Sequence, residues 1–322
     1  MTTMTHDAPV VAPRSRTASG LAFALVSAVT FGLSGALARP LLESGWSAGA
    51  VTLVRVGGAA LLVAPFAVVA LHGQWASLRR SAGLVVMYGV LAVAGAQFCY
   101  FSAVSHMQVG PALLIEYTAP AAVVVWLWLR QGQRPGPLTL FGAGLAALGL
   151  VLVLDLISGA DLSVPGVLWA LAAMVGAAAY FVISADESKG LPPLALAGGG
   201  LVVGAAALGL LGLIGLLPMH RASASVDYSG ATVEPWVPLV LLALVTAAVA
   251  YTTGIAAIRR LGSRVASFVA LSEVLSGVLW AWLLLDELPR PVQLVGGVLI
   301  VAGVVAVKLG ERTVLRKEPV PA

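Results

Sequence analysis

The stretch PALLIEYTAPAAVVVWLWL, residues 111–129, and its counterpart VASFVALSEVLSGVLWAWLLL, residues 265–285, decide the reading of this chain. Each is an apolar run of membrane-crossing length, since about 20 helical residues span a bilayer's hydrocarbon core. Each also carries one carboxylate, Glu116 in the first and Glu273 in the second. A carboxylate at bilayer depth costs roughly 2.5–3.5 kcal/mol on insertion scales, so it persists only with a partner, a cavity or a function. Two of them at matching places in the two halves point to a polar site between related half-proteins.

Composition agrees. The 322 residues are 60% hydrophobic and 10% charged, with a mean hydropathy of +1.00, too apolar for a water-soluble fold of this length. The net charge of +4 comes from loops and tails, and no basic run is interleaved with aromatics, which excludes nucleic acid as a partner. The single cysteine, Cys99, excludes an internal disulfide and multi-thiolate metal sites, and reads as a small buried hydrophobe. No cofactor or metal is expected.

Ten windows are long and apolar enough to span: 19–38, 46–71, 82–104, 108–129, 137–155, 165–185, 194–217, 236–258, 264–285 and 291–309. The seventh is the weakest, because Gly198, Gly199 and Gly200 lower its helix propensity. Residues 1–18 read as a polar disordered tail and 310–322 as a second tail; the loop 218–235 is the longest connection. Fourteen of the 18 Lys and Arg fall on the side that holds both termini, while Arg39, Arg221 and Arg290 fall on the other. This asymmetry places both termini in the cytoplasm and the chain in the plasma (inner) membrane.

The halves are related. Glu116 over Glu273 fixes an offset of 157 residues; past the next loop LTLFGAGLAALGLVLV (138–153) lies over VQLVGGVLIVAGVVAV (292–307). Gly142 then matches Gly296, and Gly149 matches Gly303. Members of each pair sit two turns apart on one face, a pattern for close helix packing. The fold class is therefore all-α integral membrane, ten transmembrane helices as two inverted five-helix repeats, 19–155 and 165–309. Five is odd, so consecutive repeats enter the membrane from opposite sides, and the binding site is expected near the midplane at their interface.

This pattern resembles the EamA-type carriers of the drug/metabolite transporter superfamily. The resemblance is carried by LLIEYTAPAAVVVW (113–126) and ALSEVLSGVLWAWLLLDELPRPVQLVGGVLIVAGV (270–304). The run from Glu116 to Pro120 looks like the amino-acid-exporting branch related to threonine/homoserine exporters. Two positions depart from the family pattern: Val274 stands where a proline usually follows the second glutamate, and Arg130 stands near a common glutamate.

For Glu116 and Glu273 two readings stand side by side: binding a substrate ammonium group or a coupling proton, or holding helices together as hydrogen-bonded core residues. Pro120 lies four residues after Glu116 and cannot donate to its carbonyl, which either opens the helix for a site or simply kinks it. Arg55 could bind a substrate carboxylate, pair with Glu116, or snorkel to an interface. Gln97, Tyr100, Tyr117 and Tyr251 could line a cavity or serve ordinary packing. His6, His72, His106 and His220 lie in tails or loops, which argues against a histidine relay.

The leading function is a secondary active transporter that exports small metabolites by alternating access. Amino acids or related amphipathic compounds are what the resemblance implies. No GxxxxGK[ST] motif supports ATP use, and no buried nucleophile or metal-ligand set supports an intramembrane enzyme. The alternative is a non-transporting sensor or scaffold. The coupling ion, a proton or another, and the oligomeric state, a homodimer included, stay open, as does the direction of net flux.

Overall fold

The computed structural model describes residues 13–119, 136–153, 163–184 and 190–315. The chain opens with α1 (Pro13–Glu43) and α2 (Ala48–Ala70). The short α3 (Trp75–Arg80) precedes α4 (Ala82–Met87), a π-helical segment (Tyr88–Gly95) and α5 (Ala96–Val104), the last three forming one span. Then come α6 (Val109–Glu116), α7 (Pro137–Val153), α8 (Val164–Ser184) and α9 (Pro193–Leu213). An antiparallel hairpin, β1 (Val226–Tyr228) and β2 (Ala231–Val233), leads into α10 (Trp236–Ala243). A second π-helical segment (Leu244–Val249), α11 (Ala250–Ala270), α12 (Ser272–Leu285) and α13 (Pro291–Leu315) complete the chain.

Among the described residues, six helical spans are long and apolar enough to cross a membrane: Thr17–Glu43, Ala48–Ala70, Ala82–Val104, Val164–Ser184, Pro193–Leu213 and Trp236–Leu261. Pro137–Leu152, Ser272–Leu285 and Pro291–Val307 are apolar but shorter. Most of the expected span 108–129, with Pro120, lies outside the described residues.

Local sequence sets the helix starts. Pro13, Pro137, Pro193 and Pro291 open α1, α7, α9 and α13, where a missing amide hydrogen costs nothing and the fixed φ suits the first turn. Ser47 caps α2, its hydroxyl accepting from the Ala50 N–H at 3.2 Å.

The structure departs from the expected boundaries in several places. α1 begins at Pro13 inside the presumed tail, and α13 continues to Leu315; no proline separates these polar turns from the apolar spans, and Gly20 and Gly310 are carried within the helices. The backbone stays helical from Ala250 to Ala270, through the expected loop after residue 258; Arg259, Arg260 and Leu261 are good helix formers. The interruption falls instead at Leu271, just before Glu273. The glycine-rich seventh window is an unbroken helix, and its glycines are spaces for neighbours: a Cβ on Gly198 would meet the Ala67 Cβ, and one on Gly200 the Tyr88 ring. Finally, the connection 218–235 is not plain loop but carries the hairpin.

Packing follows the repeats. α2 packs on α9, α7 on α13 and α6 on α12, each a helix against its own counterpart. α1 packs on α11 and α12, and the equivalent α8 packs on α5 and α6. Every one of these contacts joins the two halves and has a partner contact when the halves are exchanged. The glycines show the geometry most sharply. A Cβ on Gly142 would meet the Gly303 carbonyl oxygen at 2.5 Å, and one on Gly149 the Gly296 oxygen at 2.6 Å. Since Gly142 is equivalent to Gly296 and Gly149 to Gly303, this antiparallel crossing maps onto itself, as a two-fold relation requires. The two π-helical segments also fall at equivalent places in the third helix of each half.

Candidate functional site

A half-open cavity lies between the repeats, about 760 Å3 of empty space when the open solvent at its mouth is included. Glu116 at the end of α6 and Glu273 at the start of α12 both line it, so carboxylates far apart in sequence share one space. Tyr117 and Gln97 from the first half and Tyr251 from the second line it too. The lining draws on both buried apolar clusters of the protein.

The two carboxylates have unlike surroundings. Glu273 accepts a hydrogen bond from the Tyr117 hydroxyl. Among the described residues, the Glu116 carboxylate has no hydrogen-bond or ion-pair partner. Each glutamate stands beside a break in regular helix, at Tyr117–Thr118 and at Leu271. Such interruptions at membrane depth are tolerated where they are buried in protein or line a cavity.

Arg55 sits inside the bundle, apart from the cavity lining. It is fully buried, does not line the cavity, and has no carboxylate within ion-pairing distance among the described residues. Its guanidinium donates to the Gln97 side-chain oxygen and, at 2.6 Å, to the Thr246 carbonyl in the second π-helical segment. The Gln97 amide in turn donates to the Tyr251 hydroxyl at 3.2 Å. Arg55 therefore ties α2, α5 and the second repeat together from behind the cavity wall. Its guanidinium carbon also lies 5.2 Å from the Phe101 ring centre and 6.0 Å from that of Phe31. Complete burial of the side chain rules out snorkelling, with the two terminal guanidinium nitrogens bonded inside the bundle.

Tyr100 takes a packing position. It lies outside the cavity lining, its hydroxyl buried in the space that the missing side chain of Gly35 leaves. Cys99 is half-buried in α5 and packs beside the larger apolar cluster.

Phe31, Tyr180 and Phe181 form much of the wall and were not among the sequence candidates. Tyr251 meets Phe31 edge-on at 4.9 Å between ring centres and Tyr180 at 6.0 Å. A Cβ on Gly254 would meet the Tyr180 hydroxyl at 2.9 Å, so that glycine makes room for the ring's polar tip. Their signal was weak: aromatics in α1 and α8, the two equivalent first helices of the repeats, at positions that look like any lipid-facing ring.

At the end of the bundle opposite the termini, a second cleft is covered by the hairpin. Arg39 near the end of α1 pairs with Glu43 at 2.8 Å and Glu287 at 3.1 Å, and donates to the Met107 carbonyl. Glu287 also accepts from the Val109 N–H at the start of α6. The Tyr228 hydroxyl donates to the Leu37 carbonyl, and the Ser229 hydroxyl donates to Asp286 at 2.6 Å. Burial raises the Glu287 carboxyl above the ordinary carboxylate range, an effect opposed by Arg39 and the Val109 N–H. This cluster clasps both repeats together at one end.

Comparison with known proteins places this geometry. The family model described as the EamA-like transporter family matches twice, over residues 18–155 and 164–309. Comparison with curated proteins found no match. A solved protein crystal structure is similar at a TM-score of 0.58 and 22% identity, over 94% of this chain and 99% of that one, a likeness of fold alone. The double match covers nearly the whole chain, one copy per half, and it coincides with the two-fold packing described above. The chain belongs to the EamA-like transporter family, whose members are multi-pass membrane transporters of small substrates.

Proposed function

We propose that the protein is a secondary active exporter of small metabolites, amino acids or related amphipathic compounds, working by alternating access across the plasma membrane. In this reading ten transmembrane helices form two inverted five-helix repeats, with both termini cytoplasmic. The observation that carries it is the meeting of Glu116 and Glu273, one from each repeat, in one aromatic-walled cavity. A buried site shared by two halves changes shape when one half rocks against the other, which alternating access needs. Glu116, whose carboxylate has no partner among the described residues, is the group to bind a substrate ammonium or a coupling proton. Glu273, Tyr117, Gln97 and Tyr251 complete the site, and Arg55 holds Gln97 in place. The Arg39–Glu287 clasp and the hairpin are the closure on the far side, to be broken when substrate leaves.

Untargeted metabolite profiling of the medium tests this. Cells expressing the wild type are compared with cells expressing an equally abundant Glu116→Gln/Glu273→Gln variant. A compound enriched outside only with the wild type supports export through this site. No difference, with both proteins in the membrane, overturns constitutive export and favours a sensor or scaffold.

A further inference from the structure

The charge arrangement around the cavity narrows the substrate class, an inference that rests on the carrier reading above. Among the described residues, the lining contains two carboxylates and no lysine, arginine or histidine. The cation of this layer, Arg55, stands behind the wall: Gln97, Tyr251 and Phe31 line the cavity, and Arg55 bonds Gln97, reaches Tyr251 through it and lies against the Phe31 ring. Reaching Arg55 would require a substrate carboxylate to displace the Gln97 amide. A carboxylate left in the cavity would instead face Glu116 and Glu273, desolvated and without a cationic partner.

A positive group meets the opposite situation. Glu116 offers a carboxylate with no partner among the described residues, Glu273 a second one oriented by Tyr117, and Phe31, Tyr180 and Tyr251 offer ring faces and edges. The apolar remainder of a substrate would lie against alanines and aromatic rings, as in most small-molecule sites.

We infer that the site selects amphipathic monocations, amines with an apolar or aromatic body and no carboxylate, over zwitterionic amino acids. Glu116 is the primary anchor of the ammonium group, and the sequestered Arg55 is what denies the zwitterion a home.

Calorimetric titration of the full-length wild-type protein in lipid nanodiscs decides this without any variant. Two matched pairs differ only by a carboxylate: 2-phenylethylamine against phenylalanine, and 3-methylbutylamine against leucine. 3-Phenylpropionate serves as the anion. The expected result is that at least one amine binds about tenfold or more tightly than its amino acid, with no binding of the anion. Equal or tighter binding of the amino acids overturns the inference and leaves the carrier reading intact. Failure of all five compounds to bind also overturns it, and the carrier reading then stands or falls on the metabolite profile.

Discussion

Tyr117, the residue that follows Glu116 in the first repeat, donates its hydroxyl hydrogen to the carboxylate of Glu273 in the second. The two acidic helices are thus joined at the site itself, and the bond leaves Glu116 as the more available carboxylate. A hydrogen bond to a charged group is worth roughly 1.5–3 kcal/mol, enough to hold an orientation and small enough to break during a transport cycle.

From this bond, Tyr117→Phe is expected to slow transport about tenfold while the protein still reaches the membrane. Glu116→Gln is expected to abolish it, and Glu273→Gln to reduce it strongly. Adding Tyr117→Phe to Glu273→Gln should cost little more, because both changes remove one interaction. Flux in proteoliposomes, normalised to protein, measures all four. Wild-type rates in both glutamine variants would leave the glutamates as helix glue.

The glycine crossing makes a sharp structural claim. Alanine at Gly142 or Gly303 would put a methyl group 2.5 Å from a carbonyl oxygen of the opposite helix, whereas a Cβ on Gly144 meets nothing within 4 Å. Gly142→Ala is expected to cost about 1–3 kcal/mol, as overpacking does, and Gly144→Ala almost nothing. Thermal melts of detergent-solubilised protein compare the two on one helix.

Arg55 is expected to matter for folding before transport. Arg55→Met leaves the Gln97 oxygen and the Thr246 carbonyl without their donor, and Arg55→Lys cannot reach both with a forked head. Each should destabilise the protein by a few kcal/mol, about 1–3 for every buried acceptor stranded. A normal melting temperature in Arg55→Met would show that the guanidinium is not the tie described.

The clasp at the far end should respond to pH. Burial raises the Glu287 carboxyl, so it takes up its proton at a higher pH than an ordinary carboxylate. Its pairing with Arg39 is present above that value and lost as pH falls through it. The stability contribution has the opposite sign: the folded state holds the proton more tightly, so stability is gained below the unfolded value and lost as pH rises through the folded one. A spin label on Ala231→Cys in a Cys99→Ala background should loosen on moving from neutral to mildly acid pH. Glu287→Gln should remove that response.

Much of the site was legible because ionisable residues inside apolar windows are few. Glu116 and Glu273 stood out, and the helix repeat brought them to one cavity. The glycine pairs were legible for the same reason, since periodic glycine on one face has little use except close approach. Arg55 and Tyr100 were harder. Their helices are apolar nearly all round, so no amphipathic stripe says which way a side chain faces. Tyr180, Phe181 and Phe31 were invisible as site residues because an aromatic ring in a span serves lipid, packing or ligand equally well. The hairpin was missed because its register depends on Val226 being buried against the bundle and Tyr228 reaching Leu37, contacts nearly two hundred residues apart.

By itself, then, the sequence determined the solvent and the duplication: lipid demands long apolar helices, and equivalent residues in two halves must repeat in space. It also marked two carboxylates too costly to bury without purpose. Only the tertiary structure decided which residues share a wall. Helix rotation and crossing placed Arg55 behind Gln97 rather than in the cavity, left the Glu116 carboxylate without a partner among the described residues while Glu273 was bound by Tyr117, and folded a polar connection into a clasp. Those choices follow from packing between helices, where side-chain volume and hydrogen-bond satisfaction act across the fold, and no local stretch contains both partners.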